Sequence, residues 1–388
     1  MDRGDAEATG SPYRVEVLRS MEEFESIGED LDRVLRAQPI PQPFMTAAWL
    51  KTWVEHFSGM QGIWIVTVRR GRELVGLLPF CVRPRRLGLI SFRSFEFIGA
   101  ANAAWVGLIG DRDIGTVTGL MMRELLKNSD QWDFGVLQRM RNKNHVMVLD
   151  EQLKDVGFTV RTHPLVNIHG INVYTSGELF LASRKRHFIK NVKKHRRKMK
   201  ECGIVGFSSY GSGSELEAAF GLGAIDEVVA NSWQGKAGVS PFAQTNLAAR
   251  QFHLDLIKQA PPDCSPIIHV LTFDGRPIAY RYGFLAGSHF TSYSIEYHKA
   301  HAAFALSHVL NYFSLLRLID GGIRSIDFGV GEGSHKEDWG DWSETIYTIY
   351  FFHGGIRSST YKVFHDLRGS AKHLWFKLRG NAPFVEEH

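Results

Sequence analysis

The feature that most constrains the fold of this chain is an internal repeat. Residues 71–80 read GRELVGLLPF, and residues 275–284 read GRPIAYRYGF. Each segment follows an apolar run, at 63–68 in the first copy and at 267–273 in the second. A glycine at each junction is typical of the turn between two paired strands. We therefore predict one β-hairpin in each half of the chain.

The repeat continues beyond the hairpins in the same order. Apolar helices are predicted over 116–127 and 304–319, and the second is apolar almost all round, which is typical of a buried helix. A strand then carries the same four residues in both halves, Asp-Phe-Gly-Val at 133–136 and at 327–330. Matching segments in one order indicate duplication of an α/β module, so we predict a mixed α/β (α+β) fold of two tandem modules.

Length and composition bound the organisation of the chain. Its 388 residues suit two domains better than one core. We predict a disordered lead at 1–12, an N-terminal domain at 13–172 and a C-terminal domain at 173–388. Three cysteines without metal-ligand spacing, no signal-peptide pattern and no long apolar segment favour a cytoplasmic protein. The spacing of His, Cys, Asp and Glu indicates no metal site.

Residues 184–200 form the most charged segment, with ten lysines and arginines and no acidic residue. The rest of the chain then has a net charge of −5, so we expect one local basic face and no DNA binding. We predict one helix over 177–201, opened by a capping box of Thr175 and Glu178. Three interpretations stay open: a solvated helix, a site for a phosphorylated donor or acceptor, and contact with anionic lipid at the inner membrane face. The candidate polyanion-binding residues are Arg184, Lys185, Lys193, Lys194, Arg196 and Arg197.

Four segments carry a further pattern: Pro43-Phe44 with Trp49 and Trp53, the basic segment, SWQGKAG at 232–238, and DFGVG at 327–331 followed by His335-Lys336 and Trp339-Gly340. Over about 45–350 this pattern resembles the CelD-type acetyltransferases of bacterial polysaccharide loci, and the Fem-type peptidoglycan aminoacyltransferases are similar in organisation. The resemblance implies two tandem GNAT-like (acyl-CoA N-acyltransferase) domains. Two departures are His335, where the family prefers tyrosine, and KAHAAFA at 299–305, which lacks the glycine of a pyrophosphate-binding loop.

The resemblance implies an acyltransferase that moves groups other than aminoacyl groups. Acetyl-CoA or another acyl-CoA would be the co-substrate, without a metal. The acceptor would be an amine of a glycan, a nucleotide-sugar or a similar cell-envelope precursor, and this amine would attack the acyl group directly. Two alternatives stay open. One is Fem-like transfer from aminoacyl-tRNA, and the other is a catalytically dead accessory protein of polysaccharide biosynthesis.

The candidate site residues lie mostly after the second Asp-Phe-Gly-Val copy. Lys336 is suited to pair with a phosphate or polarise a carbonyl, and Glu332 and His335 are candidate bases. The candidate substrate-binding residues are Trp233, Lys236, Glu296, Tyr297, Asp327, Gly329, Gly331 and Trp339. Simpler interpretations are a solvated loop, strand-end polar residues, a packed core tryptophan and an aspartate that orders its own turn. The first half has no counterpart of 331–339, so we predict that its domain is non-catalytic and helps to form the cleft.

Overall fold

One mixed β-sheet joins the described residues of the computed structural model. The described residues are 12–57, 62–110, 113–211, 223–259, 261–331 and 333–379, with side chains for all of them except 223–224, 334–335 and 369–379. Residues 1–11 of the predicted lead lie outside them. We call the chain up to residue 172 the first half and the remainder the second half.

The strands are β1 (Tyr13–Leu18), β2 (Gly62–Arg70), β3 (Glu73–Leu87), β4 (Ile90–Phe97), β5 (Ile109–Gly110), β6 (Phe134–Met140), β7 (Thr159–Ile171), β8 (Val205–Tyr210), β9 (Ser265–Phe273), β10 (Arg276–Ala286), β11 (His289–Tyr297), β12 (Ser325–Asp327) and β13 (Trp342–Phe352). Their order across the sheet is β1-β2-β3-β4-β6-β13-β7-β12-β11-β10-β9-β8, and β5 pairs with β3.

The helices are α1 (Met21–Glu25), α2 (Gly28–Arg36), α3 (Ala47–His56), α4 (Ile114–Lys127), α5 (Lys143–Asp155), α6 (Gly177–Ser183), α7 (Arg186–Cys202), α8 (Gly223–Asn231), α9 (Trp233–Ala237), α10 (Leu247–Gln259), α11 (Leu306–Asp320), α12 (Ser334–Trp339) and α13 (Ile356–Arg379). Among the described residues, none of these helices combines the length and hydropathy that a membrane-spanning segment needs.

The repeat pattern of the sequence is confirmed in the structure. β2 pairs antiparallel with β3, and β9 pairs antiparallel with β10. Gly71 turns the first hairpin with φ +61, and Asp274 and Gly275 turn the second with φ +49 and +77, the positive values that tight hairpins need. The predicted helices correspond to α4 and α11, and buried residues occur throughout α11. The predicted mixed α/β fold is therefore confirmed.

The two copies of Asp-Phe-Gly-Val adopt different backbones. In the first copy Gly135 stays within β6, where the ring of Phe351 lies over it and fills the space a side chain would need. In the second copy β12 ends at Asp327, and Gly329 turns away with φ +67. The residues that follow explain the difference, because Leu-Gln-Arg-Met continues a strand whereas Gly-Glu-Gly ends one.

The two halves exchange their last strands. β7 ends the first half and pairs with β12 of the second half. β13 is the last strand of the second half, and it lies between β6 and β7 of the first half. This exchange makes the sheet continuous across the chain. The predicted division into domains at residue 172 stays a prediction.

Aromatic packing also joins the halves on one face of the sheet. Trp49 and Trp53 of α3 are buried, and Trp49 contacts Phe252 of α10 and Phe284 of β10 with ring centroids 4.8 and 5.5 Å apart. The aromatic residues that the sequence singled out near 44–53 are therefore core residues between the halves. Their packing holds α3 of the first half against α10 and β10 of the second half.

The prediction of one helix over 177–201 is wrong. The structure has α6 and α7, and Arg184 between them is extended, with ψ 157°. This backbone lets the guanidinium form an ion pair with Asp341 and donate to the carbonyl oxygen of Gly340 at 2.7 Å. The predicted capping role of Thr175 is also wrong, because the hydroxyl of Ser176 accepts the Leu179 N–H at 3.3 Å.

Candidate active site

The pairing of the parallel strands β11 and β12 ends at the turn that follows Asp327. They pair across only His289–Thr291 and Ser325–Asp327. Beyond this point Gly329 lies so close to β11 that a Cβ there would stand 2.2 Å from the carbonyl oxygen of Ser292. The close approach and the positive φ together require glycine, so Gly329 builds the turn at which the pairing of the two strands ends.

Asp327 is the buried anchor of this turn. Its Oδ1 accepts the Gly329 N–H at 2.6 Å, and its Oδ2 accepts from Arg141 Nη1 at 2.8 Å. The sequence suggested the first of these interactions and missed the second. Arg141 lies 186 residues earlier, at the end of β6, and its Nε also donates to Glu344 of β13 at 3.0 Å. A buried ion pair therefore connects the first half to the turn of the second.

Lys336 lies in α12 with its ammonium directed into the turn. Its Nζ donates to the carbonyl oxygens of Gly329 at 3.0 Å and Val330 at 2.7 Å. The residue is 8% exposed, and burial lowers the pKa of its ammonium to about 8, while the Asp327 carboxylate acts in the opposite direction. Two of the three ammonium donors are used by these carbonyls. Lys336 is thus a buried cation that is still mostly protonated at pH 7.

Arg281 is a second buried cation near the same turn, and no pattern in the sequence indicates it. It lies in the middle of β10, fully buried, and donates through Nη2 to Asn311 of α11. Its Nε and Nη1 have no hydrogen-bond partner among the described residues. Burial lowers the pKa of its guanidinium to about 9, and its charge contributes to the lowered pKa of Lys336. Two buried cations, Lys336 and Arg281, therefore lie near the turn together with the Asp327–Arg141 ion pair.

The segment 299–305, expected as the pyrophosphate-binding place, leads directly into α11. Lys299–Phe304 form a 3₁₀ helix, and Ala305 adopts a left-handed conformation with φ 50° and ψ 54°. No side chain caps the first turn of α11. Free backbone N–H groups at the start of a helix are suited to bind an anion. The missing glycine therefore does not prevent the left-handed turn, which alanine adopts here.

The basic helix α7 packs beside this segment and against α11. Ile189, Val192 and Met199 of α7 are buried, and the guanidinium of Arg196 lies 4.6 Å from the ring centre of Tyr312 in α11. The predicted polyanion-binding residues that remain exposed are Lys185, Lys193, Lys194 and Arg197. Arg184 instead contacts acceptors within the protein, among them Trp339, Gly340, Asp341 and Tyr174.

Glu296 and α9 form a separate buried cluster at the end of β11. The carboxylate of Glu296 accepts from the hydroxyls of Ser232 at 2.7 Å and Tyr280 at 2.5 Å. Burial and the neighbouring Glu296 raise the pKa of Tyr280 well above its usual value. Glu296 thus attaches α9 to the strand, and α9 carries Trp233 with 56% of its surface exposed. Trp233 is therefore not a core residue, and it is free to contact a ligand.

The remaining predicted residues lie in different surroundings. Trp339 is fully buried, its ring packs 4.9 Å from Phe188, and its Nε1 donates to His308 at 3.3 Å, so its influence on a substrate would pass through packing. Tyr297 is half-buried and Lys236 is exposed. Gly331 turns the chain with φ +111. Glu332 and the side chain of His335 lie outside the described residues.

His169 is a neighbour of the turn that the sequence did not indicate. Its carbonyl oxygen accepts the Phe328 N–H at 2.8 Å, and the charges of Asp327 and Lys336 act on its ring. Burial lowers the pKa of this half-buried imidazole, which favours its neutral form. The described residues contain no group of three or more His, Cys, Asp or Glu placed to hold a metal ion.

Three solved proteins have folds similar to this chain. The crystal structure of FemX aligns with a TM-score of 0.60 at 10% identity, over 87% of this chain and 98% of that one. The C-terminal domain of a putative lysylphosphatidylglycerol synthetase from Agrobacterium fabrum aligns with a TM-score of 0.53 at 11% identity, over 88% and 95%. A conserved protein of unknown function from Bacteroides thetaiotaomicron gives 0.50 at 9%, over 87% and 100%. At these identities the likeness concerns the fold.

The sequence itself matches one family. No curated protein sequence matches the chain. The segment of this chain that matches the family begins at Arg186, the first residue of α7, and ends one residue after Lys336. It therefore includes the exposed cations of α7, the start of α11 and the turn between β12 and α12. The narrower CelD-type resemblance stays a prediction. Residues 186–337 match the family described as the acetyltransferase (GNAT) domain, within a chain whose fold resembles that of FemX.

Proposed function

We propose that this chain is a GNAT-type N-acyltransferase whose reaction centre is the turn between β12 and α12. The observation that carries the proposal is the buried ammonium of Lys336, which lies within the matched segment at the turn where the pairing of β11 with β12 ends. Ligands of open α/β sheets bind outside the carboxyl ends of the strands. Burying a charged group is unfavourable, and such groups occur often at functional sites.

The phosphates of acyl-CoA would bind where α7 meets the start of α11. The uncapped N-terminus of α11 offers N–H groups and the positive end of the helix dipole. Exposed lysines and arginines lie on α7, which packs against Lys299–Phe304 and α11. This arrangement supports the second of the three interpretations of the basic segment, a site for a phosphorylated donor. The acyl end of the donor would then extend toward Lys336 and the turn that follows β12.

In the proposed reaction the acceptor amine attacks the thioester carbonyl directly. The new C–N bond forms, the carbonyl oxygen takes up negative charge, and the C–S bond breaks as the carbonyl re-forms. CoA leaves as a thiolate, and the proton lost by the amine converts it to the thiol. Lys336 and Arg281 place positive charge near the developing oxyanion. The amine must lose one proton, and His169 joins Glu332 and His335 as a candidate acceptor for it.

The acceptor belongs to the proposal as an amine of a glycan, a nucleotide-sugar or a similar cell-envelope precursor. Exposed Trp233 is placed to stack on a sugar or a base. We further propose a cytoplasmic protein, with contact of α7 with anionic lipid left to experiment. The second candidate function is transfer from aminoacyl-tRNA, which the glycine-free segment 299–305 and the fold likeness to FemX favour.

A donor screen tests the proposal. The full chain is heated with acetyl-CoA, longer acyl-CoAs or aminoacyl-tRNA, and the melting temperature is recorded. We expect acyl-CoA alone to raise the melting temperature, because a ligand that binds the native state stabilises it. Stabilisation by aminoacyl-tRNA alone would support the second candidate. No stabilisation by either class would favour a catalytically dead accessory protein.

A further inference from the structure

A cavity of about 50 Å³ lies at the end of β6 and the beginning of α5, away from the proposed donor site. Among the residues that line it are Gln42, Trp105, Arg141 and His145. Pro39 also lines it and is exposed, so the cavity is reached from the surface. One water molecule needs roughly 10–15 Å³, so the cavity holds about four non-hydrogen atoms. The site suits a small chemical group and not a whole sugar ring.

Three side chains that line this cavity carry buried polar atoms without a hydrogen-bond partner among the described residues. They are Oε1 of Gln42, Nε1 of Trp105 and Nδ1 of His145. Gln42 and Trp105 are 5% and 2% exposed. The amide orientation of Gln42 is fixed, because its Nε2 donates to the carbonyl oxygen of Leu108 at 3.0 Å. Two residues that line the cavity thus carry one unpaired acceptor and one unpaired donor, and leaving these atoms unpaired is unfavourable.

The charges around the cavity select a neutral group. Arg141 lines it, and two carboxylates already hold that guanidinium, Asp327 at 2.8 Å and Glu344 at 3.0 Å. A second anion would meet an excess of negative charge here, and a cation would meet the buried guanidinium. The ligand group must instead offer one acceptor to Trp105 Nε1 and one donor to Gln42 Oε1. A carbonyl beside an N–H, which is an amide, satisfies both.

The backbone at this cavity is strained in the way that functional sites often are. Asn142, which lines the cavity, has φ 71°. It is held there by its own N–H, which donates to Glu344 at 3.1 Å, and by its side chain, which accepts the Asn144 N–H at 3.0 Å. The strain places the start of α5 against the cavity.

We propose that this cavity binds a neutral amide group, such as an acetamido or carboxamide substituent. Its wall includes Arg141, which directly contacts Asp327 of the turn at β12. The first half would therefore hold a recognition group of the acceptor beside the reaction centre in the second half. The assignment to the acceptor rests on the proposed function, whereas amide binding itself does not.

The test is a titration of the full ¹⁵N-labelled chain with acetamide, followed through the indole N–H signals of its tryptophans. Trp105→Phe assigns the signal at the cavity. Trp132→Phe assigns a matched control, since Trp132 is equally buried, has an Nε1 without a described partner and does not line the cavity. We expect acetamide to shift the Trp105 signal with a Kd on the order of millimolar for so small a ligand, and to leave Trp132 unmoved.

Two further titrations make the outcome decisive. Acetate should bind at least about tenfold more weakly, because it brings a charge and lacks the donor. Gln42→Met should weaken acetamide similarly, and its unchanged Trp132 signal would show that it is folded. An unmoved Trp105 signal, equal shifts at Trp132, or acetate binding as tightly as acetamide would each overturn the proposal. The acetamide titration contains no acyl donor, so its result does not depend on whether the chain catalyses the proposed transfer reaction.

Discussion

Replacing Lys336 by methionine separates its role in the turn from its role in transfer. The gap between a pKa of about 8 and the ordinary 10.5 means that the fold disfavours the charged ammonium by about 3 kcal/mol, which the substitution relieves. Against this, the carbonyls of Gly329 and Val330 lose their donor, at about 1–3 kcal/mol each. The two effects partly cancel. Lys336→Met should therefore lower the free energy of unfolding by at most about 3 kcal/mol.

The same substitution should lower turnover by about 100- to 1000-fold, the usual effect of removing one group that stabilises an oxyanion. The assay follows the CoA thiol released from acetyl-CoA in the presence of amine acceptors, beside urea unfolding of each variant. Lys336→Arg should restore only part of the rate, because a planar guanidinium does not replace a compact ammonium. Lys127→Met, an exposed lysine of the first half, is the control.

The pH dependence of stability gives an independent check. The folded pKa lies below the unfolded one, so between about pH 8 and 10.5 the unfolded chain binds more protons at Lys336. The wild type should therefore gain stability over Lys336→Met as the pH rises through this window, and the difference should stay constant below it. Full turnover in Lys336→Met would refute the catalytic role. A loss of turnover matched by a collapse of stability would make Lys336 structural.

Three further predictions concern the surroundings of the turn. Arg141→Met should lower the free energy of unfolding, measured in urea, by about 3–5 kcal/mol, because it leaves the buried Asp327 carboxylate without its cation. Adding Asp327→Asn should recover part of this loss in the double variant. A loss below about 1 kcal/mol in Arg141→Met would contradict the buried pair. Gly329→Ala should lower turnover more than Gly331→Ala, since only the former meets a backbone oxygen at 2.2 Å, and equal kinetics for the two would disprove the close approach. Replacing Lys193, Lys194 and Arg197, three exposed cations of α7, by glutamine should weaken acyl-CoA binding and reduce its salt dependence without a change in melting temperature. An unchanged affinity for acyl-CoA would mean that α7 is only a solvated surface.

The sequence predicted the elements whose determinants are local. Gly71 and Asp274-Gly275 lie where hairpins turn, and the apolar periodicity of 304–319 marks the buried helix α11. Gly329 could be assigned to a turn because Gly331 follows it. The turn-ordering hydrogen bond of Asp327 was also foreseeable, since aspartate often accepts the N–H two residues on.

What the sequence could not supply depends on contacts between distant residues. Nothing near Arg141 indicates that it pairs with Asp327, because the exchange of β7 and β13 brings them together. The sequence predicted one continuous helix over 177–201, yet Arg184 interrupts it to reach Asp341, 157 residues later. Charge density alone does not distinguish an arginine with buried acceptors from lysines that remain in solvent.

Calorimetric titration of the full chain with acetyl-CoA tests the central claim most directly. We expect one binding site per chain, with an affinity that falls as the salt concentration rises, because the phosphates contact the cations of α7 and the start of α11. The α7 glutamine variant should bind more weakly, and Lys336→Met should bind nearly as well as the wild type. Absence of acetyl-CoA binding, together with tight binding of aminoacyl-tRNA, would contradict the claim.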